Sequence, residues 1–147
     1  MSTDLDHYRM RAALRWADID ANFHVRHTVY YDLGSEQRIR MLGAAGVTMS
    51  YMQEHSFGPV LFREECRFLH EVRIEHAIDV ELRISGLSRD FRKFGFQHRF
   101  LRGEDACAIV RVEGAWFNAV TRKVFVPPQL LIDVLERTSR TEDFAWM

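Results

Sequence analysis

Only two cysteines, Cys66 and Cys107, occur in 147 residues. Each stands alone in an apolar stretch, so no CxxC pair is present to hold a metal and no structural disulfide is expected. Proline is nearly as scarce. Pro59, Pro127 and Pro128 mark the ends of segments rather than a linker. No Pro/Gly/Ser-rich stretch, internal repeat or low-complexity tract divides the chain. The expectation is one domain over residues 1–147, able to bury roughly 70% of its unfolded surface. The formal net charge is −1, which leaves no global field to draw nucleic acid or an anionic membrane. No apolar run reaches the ~18 residues that a membrane span needs. The polar, acidic start Met1-Ser2-Thr3-Asp4-Leu5-Asp6 lacks the order of a signal peptide, so the expected location is the cytoplasm.

What the chain does have is aromatic residues and alternation. It carries eleven Phe and three Trp. In residues 78–85, Ile78, Val80, Leu82 and Ile84 alternate with Asp79, Glu81, Arg83 and Ser85, the mark of a half-buried antiparallel strand. Residues 94–100 set Phe94, Phe96, His98 and Phe100 on one face. Residues 106–116 gather Ala106, Ala108, Val110, Val112 and Trp116. An early strand over 8–16 puts Tyr8, Met10, Ala12, Leu14 and Trp16 together, and another over 60–70 aligns Val60, Phe62, Cys66 and Phe68. Turns are read at Gly86-Leu87-Ser88 and at Arg102-Gly103-Glu104-Asp105.

Residues 30–45 break this period and read as a helix. Tyr30, Leu33, Met41 and Ala44 share a face, Glu36 and Arg40 form an i,i+4 pair, and Gly46 suits the position just past the end. Gly34 inside it costs about 1 kcal/mol relative to Ala, acceptable if the helix packs closely on a sheet. A short second helix covers Gln129 to Arg137, started by Pro128. The order predicts an α+β fold, an antiparallel five-stranded sheet wrapped around a central helix, with a short C-terminal helix. Such a sheet has open edges, and pairing with a second copy protects them, so a homodimer is expected.

Chemistry concentrates in the loop before the helix, where Asp18, Asp20, His24, Arg26, His27, Tyr30 and Tyr31 crowd one connection. This stretch resembles the signature of hotdog-fold thioesterases of the 4-hydroxybenzoyl-CoA thioesterase type. Asp18-Ile19-Asp20, His24-Val25 and Tyr30 stand at the places of that signature, and the element order agrees over about residues 5–128. Gly114-Ala115-Trp116-Phe117-Asn118, Thr121-Arg122-Lys123 and Pro127 are similar to the family's last strand and exit. Two departures stand out. Phe23 replaces the usual Gly before the His, in a place that reshapes the acyl pocket. Arg26-His27 replaces the usual Asn-Asn and brings a cation near the site.

The resemblance implies cleavage of an acyl-CoA thioester, with Asp20 as nucleophile or general base and the backbone N–H at His27, where the helix starts, as oxyanion donor. His24 would orient Asp20 or the attacking water. Phe23 and Tyr30 would line the acyl pocket, and Arg89, Arg92 and Lys93 would meet the phosphates of coenzyme A, with Arg122 and Lys123 as a weaker candidate. No cofactor is implied, since coenzyme A is part of the substrate. The implied assembly is a homodimer or a dimer of dimers.

Structural roles stand beside these. Asp20 also suits a turn cap and Asp18 a strand end. His27 suits a pocket wall, Tyr30 the core and the Arg89–Lys93 run a solvated turn. Glu64 falls on the apolar face by parity, where it is costly unless paired, used or turned outward by a bulge; Glu65 lies beside it. Two alternative functions follow. One is a hotdog dehydratase or hydratase using His24 with Glu64, and the other is a non-catalytic acyl-thioester binder.

Overall fold

The computed structural model describes residues 8–147, so the acidic start Met1–Asp6 lies outside the described residues. The order is β1 (Arg9–Arg11), a 3-10 turn (Trp16–Asp18), α1 (Val29–Ala44), α2 (Met49–Glu54), β2 (Phe57–Phe68), β3 (Asp79–Leu87), β4 (Lys93–Arg102), β5 (Asp105–Asn118), β6 (Lys123–Val124), α3 (Gln129–Arg137) and β7 (Arg140–Trp146). The sheet runs β1-β3-β4-β5-β2 in antiparallel pairs. β6 adds to β5, and β7 lies parallel to β3. The sheet curls around α1, as the alternation predicts. Val80, Leu82, Ile84, Phe96, Val110 and Val112 are buried against the helix side, while Arg83, Gln97, Arg99 and Arg111 carry the outer face.

Close packing of α1 on the sheet has a visible cause at Gly34. A Cβ there would stand 3.2 Å from Cδ2 of His98. His98 sits on the Phe face, fully buried, and a polar chain satisfies it. Gln37 Nε2 donates to the Val80 carbonyl at 2.6 Å, and His98 Nδ1 lies 2.7 Å from Gln37 Oε1. His98 Nε2 is 2.9 Å from Nη1 of Arg38. Arg38 only donates, so Nε2 accepts and Nδ1 carries the proton. Burial, with the Arg38 charge second, holds His98 well below its ordinary value of 6.5. The unfolded chain therefore takes a proton near pH 6.5 that the folded chain refuses until far lower. The contribution is present above that pH and is lost as pH falls, with a slope of up to about 1.4 kcal/mol per pH unit. Urea unfolding from pH 7.5 down to 5 should show this loss, and His98→Gln should flatten it.

Several expectations need correction. The early strand is only Arg9–Arg11, and Trp16 is 75% exposed rather than on the apolar face. Asp18 diverts the chain by accepting the Arg15 N–H at 2.9 Å and pairing with its guanidinium, also at 2.9 Å. Leu42, not Ala44, continues the buried face of α1. The turn at 86–88 shifts to Ser88–Arg92, because β3 runs to Leu87. The five expected strands form the path β1-β3-β4-β5-β2, and the short β6, β7 and α2 add to them. The Glu36–Arg40 pair is present at 2.9 Å, Gly46 follows α1 with φ +97°, and α3 spans Gln129–Arg137 as expected.

β2 divides its faces at a bulge. Leu61 pairs with Gly114 and Arg63 with Glu113, so Phe62 is the extra residue. Val60 thus parts from Cys66 and Phe68, which the simple parity had joined. Glu64 pairs with Val112 and Cys66 with Val110, both on the helix side. Glu64 is nonetheless exposed, since β2 is the sheet edge and its carboxylate reaches solvent. Leu61, Phe62 and Phe68 are exposed along the same edge.

Candidate active site

The loop between β1 and α1 is braced from several sides. Ile19 bridges Val25, and the Asp20 N–H donates to the His24 carbonyl at 2.9 Å. The Phe23 N–H donates back to the Asp20 carbonyl at 3.0 Å, closing a tight turn. The Val25 N–H donates to the Val72 carbonyl at 2.8 Å and ties the loop to the segment after β2. Arg26, expected as a cation near the site, is instead a brace: Nη1 donates to the Ala17 carbonyl at 2.8 Å and Nε to Thr28 Oγ1 at 3.1 Å. Asp18 is buried beneath the loop, and the hydrogen bond from the Arg15 side chain holds its carboxyl below the usual range.

The turn explains the family's glycine. Phe23 has φ +65°, the left-handed region where an L side chain is strained. Phe23→Gly should therefore stabilise the fold by about 1 kcal/mol, the strain relieved less the entropy that glycine adds. Urea unfolding checks this, and an unchanged or lower midpoint would contradict it. The Phe23 ring is 74% exposed and does not line the cavity of this chain.

A cavity of about 320 Å³ opens at the start of α1. Asp20, His24, His27 and Tyr30 line it from the loop and helix, with Phe68 and Glu71 opposite. Asp20 is half-buried. Its Oδ1 accepts the Asn22 N–H at 2.9 Å, and among the described residues its Oδ2 has no partner. His24 does not bond Asp20. Its Nε2 lies 2.8 Å from Oε2 of Glu71, which Arg73 approaches at 3.6 Å. The His27 side chain is exposed at the rim. The backbone N–H groups of His27 and Thr28 donate to nothing among the described residues, whereas Val29 N–H already bonds the Arg26 carbonyl at 3.1 Å. Two open donors at the positive end of a helix suit a developing oxyanion. Tyr30 packs edge-on against Phe68 and Phe100, and burial pushes its phenol up to about 12, so it stays neutral as a wall.

Glu71 was missed by sequence reading. It lies far from His24 along the chain in a charged loop without period, and only the fold brings the two together. The expected phosphate cluster is not at the cavity of its own chain. Tyr30 touches Phe100 near one end of β4, while Arg92 and Lys93 lie at the other, more than roughly 20 Å away at 3.2–3.4 Å per residue. There Arg89 stacks on the Trp146 ring at 4.7 Å and Arg92 Nε lies 3.5 Å from Asp90. Arg122 stacks on Phe117, and Lys123 begins β6. Among the described residues no group of three or more His, Cys, Asp or Glu is placed to hold a metal, and no helix is long and apolar enough to cross a membrane.

A curled antiparallel sheet around one helix, with an acidic loop at the helix start, defines the hotdog architecture of thioesterase-like proteins. The chain belongs to the Thioesterase-like superfamily, whose model matches residues 14–135. No curated protein matches the sequence. Solved structures share the fold at low identity. A 1,4-dihydroxy-2-naphthoyl-CoA thioesterase from Synechocystis is 16% identical, with TM-score 0.77 over 88% of this chain and 95% of that one. A hypothetical protein from Staphylococcus aureus, solved in complex with CoA, is 14% identical, with TM-score 0.81 over 96% and 91%. A hypothetical protein from Aquifex aeolicus is 23% identical, with TM-score 0.77 over 88% and 98%.

Proposed function

We propose that this protein hydrolyses an acyl-CoA thioester to a free acid and coenzyme A. One observation carries the reading: Asp20, His24, His27 and Tyr30 line a single cavity at the start of α1, where the backbone N–H groups of His27 and the adjoining Thr28 are open. The superfamily supports it, as do structural neighbours whose names state a thioesterase or a CoA complex. Asp20 either takes a proton from water as it attacks the acyl carbon, or attacks that carbon itself to give a mixed anhydride that water opens. In both routes the C–S bond breaks and the departing sulfur gains a proton. The His27 and Thr28 N–H groups donate to the carbonyl oxygen as it gains charge, a role worth about 2.7–4 kcal/mol per donor. His24, tethered by Glu71, sits beside the path of the water.

The exposed apolar edge of β2 supports assembly through a second copy, as a homodimer or a dimer of dimers. In such an assembly the basic turn of Arg89, Arg92 and Lys93 would approach the cavity of the other copy and take the nucleotide phosphates. The reaction needs no metal or cofactor, and its proposed setting is the cytoplasm.

The His24–Glu71 pair favours a second reading, hydration of an enoyl thioester, because it sets a histidine against a carboxylate in the cavity. It replaces the His24–Glu64 pairing expected from the sequence, since Glu64 does not line the cavity. Product analysis on a panel of acyl-CoAs decides between them. Hydrolysis releases free thiol and acid. Hydration changes alkene absorbance with the thioester intact, and tight binding without either product identifies a binder.

A further inference from the structure

Arg38 is a charge without a counter-ion. It lines a cavity of about 250 Å³ between α1 and β2, with Leu42, Pro59, Leu61, Phe94 and Phe96 as apolar walls. The buried chain from the Val80 carbonyl through Gln37 and His98 ends on Arg38 Nη1, and Nη2 donates to Ser35 Oγ at 3.0 Å. His98 is a neutral acceptor, so it orients the guanidinium without neutralising it. Among the described residues Arg38 forms no ion pair, and neither does Glu64, which is exposed on β2. Within one chain the two stay out of ion-pair reach. Glu64 follows the Phe62 bulge, whereas Pro59 and Leu61, which wall the Arg38 cavity, precede it. A half-buried cation in this state is unfavourable unless something completes it.

β2 is an open edge of 12 residues, with Leu61, Phe62 and Phe68 exposed along it. Its bulge gives it a mirrored pattern. Phe57, Pro59 and Leu61 face the helix side before the bulge, and Glu64, Cys66 and Phe68 do so after it. The two sets are symmetric about the Phe62–Arg63 bond. Two copies of β2 that pair antiparallel are related by a two-fold axis normal to the sheet, which keeps each face with its own kind. A ladder centred on that bond sets Phe57 opposite Phe68, Pro59 opposite Cys66 and Leu61 opposite Glu64, helix side against helix side along the whole strand. A register moved by one or two residues breaks this match at the bulge. Pro59 removes one N–H near the end of the ladder and leaves its centre intact. Resting on the assembly through β2 proposed above, we propose that Glu64 of the partner subunit is the counter-ion of Arg38. It lies opposite Leu61, a wall of the Arg38 cavity, with about 4.5–5.5 Å between the paired Cβ atoms. The two-fold axis makes the ion pair twice. His98 and Gln37 act as positioning residues for Arg38.

The test uses two opposite charge reversals on the full chain, Arg38→Glu and Glu64→Arg. Sedimentation over a dilution series at low ionic strength reads the assembly of each. Wild type should assemble. Each variant alone sets like charges across the axis and should dissociate about 30-fold or more readily. Mixed one to one, the two variants should recover near wild-type affinity as a heterodimer, which native mass spectrometry identifies, because opposite charges then meet across the axis at both pairs. A contact between Arg38 and Glu64 of the same chain predicts no recovery, since every chain in the mixture still carries two like charges. Thermal melts accompany each variant. If Arg38→Glu fails to fold, Glu64→Arg decides, because its position is exposed. It should weaken assembly by the same factor, whereas Glu65→Arg, where the native side chain pairs with Arg63 of its own chain, should change it only a few-fold. Assembly unmoved by Glu64→Arg, a mixture no tighter than its components, or equal weakening by Glu65→Arg would overturn the ion pair and leave assembly through β2 standing. A monomeric wild type would overturn both, and thiol release would still test hydrolysis by itself.

Discussion

Replacing Asp20 by Asn is expected to lower kcat for thiol release by about 10²- to 10⁴-fold, the range of a positioned general base, with little change in stability. The second part follows from its surroundings. Asp20 is half-buried, and the contact its side chain makes, Oδ1 accepting the Asn22 N–H, is one an amide oxygen also accepts. The first part follows from chemistry. An amide neither takes a proton from water nor attacks a thioester. The cavity, the open His27 and Thr28 N–H groups and the His24–Glu71 pair remain, so KM should move little and some rate above the uncatalysed reaction should persist. Steady-state thiol release together with a thermal melt checks both parts. Activity within a few-fold of wild type would move the chemistry to another group in the cavity, with Glu71 first in line.

Gly114→Ala carries the largest expected effect on stability, a loss of about 3 kcal/mol or more and a fall in Tm of roughly 6 °C or more. Gly114 lies in β5 between Leu61 and Phe94, next to the bulge at Phe62. A Cβ there would collide with the Val60 carbonyl oxygen and stand 2.8 Å from Cζ of Phe94. The first obstacle is backbone, which cannot turn aside. Relief requires β2 to leave β5, and β2 supplies the Phe68 wall of the cavity at the start of α1 and the free edge of the sheet. Activity should therefore fall with stability. Gly43→Ala in α1, where a Cβ would meet nothing within 4 Å, is the matched control. A Tm for Gly114→Ala level with that control would contradict the close approach.

The long strands were legible because their chemistry is one-sided. Val80, Leu82 and Ile84 face the helix while Arg83 and Glu81 face outward, so a period of two survives in the sequence. β2 was legible as a strand but not in its faces, because one inserted residue at Phe62 reverses parity for half its length. α2 is only six residues long and shows no period; its start depends on Thr48 Oγ1 accepting the Tyr51 N–H at 3.0 Å. β7 is polar at most positions and gains its place by pairing with β3 and by arginines stacked on Phe144 and Trp146. At the site, the loop residues were legible as a cluster because they are neighbours in the chain. Glu71 and the Gln37–His98–Arg38 chain were not, because each joins side chains from distant segments that only the packed fold aligns.

In the proposed hydrolysis at the start of α1, by water that Asp20 activates or through an Asp20 anhydride that water opens, the new oxygen of the acid comes from water. Turnover of the preferred acyl-CoA in heavy-oxygen water tests it most directly. Over many turnovers each released acid should carry one labelled oxygen, with one thiol per acid, and both products should form about 10²- to 10⁴-fold more slowly in Asp20→Asn. An intact thioester with a changed alkene absorbance, or products that form equally fast in Asp20→Asn, would contradict it.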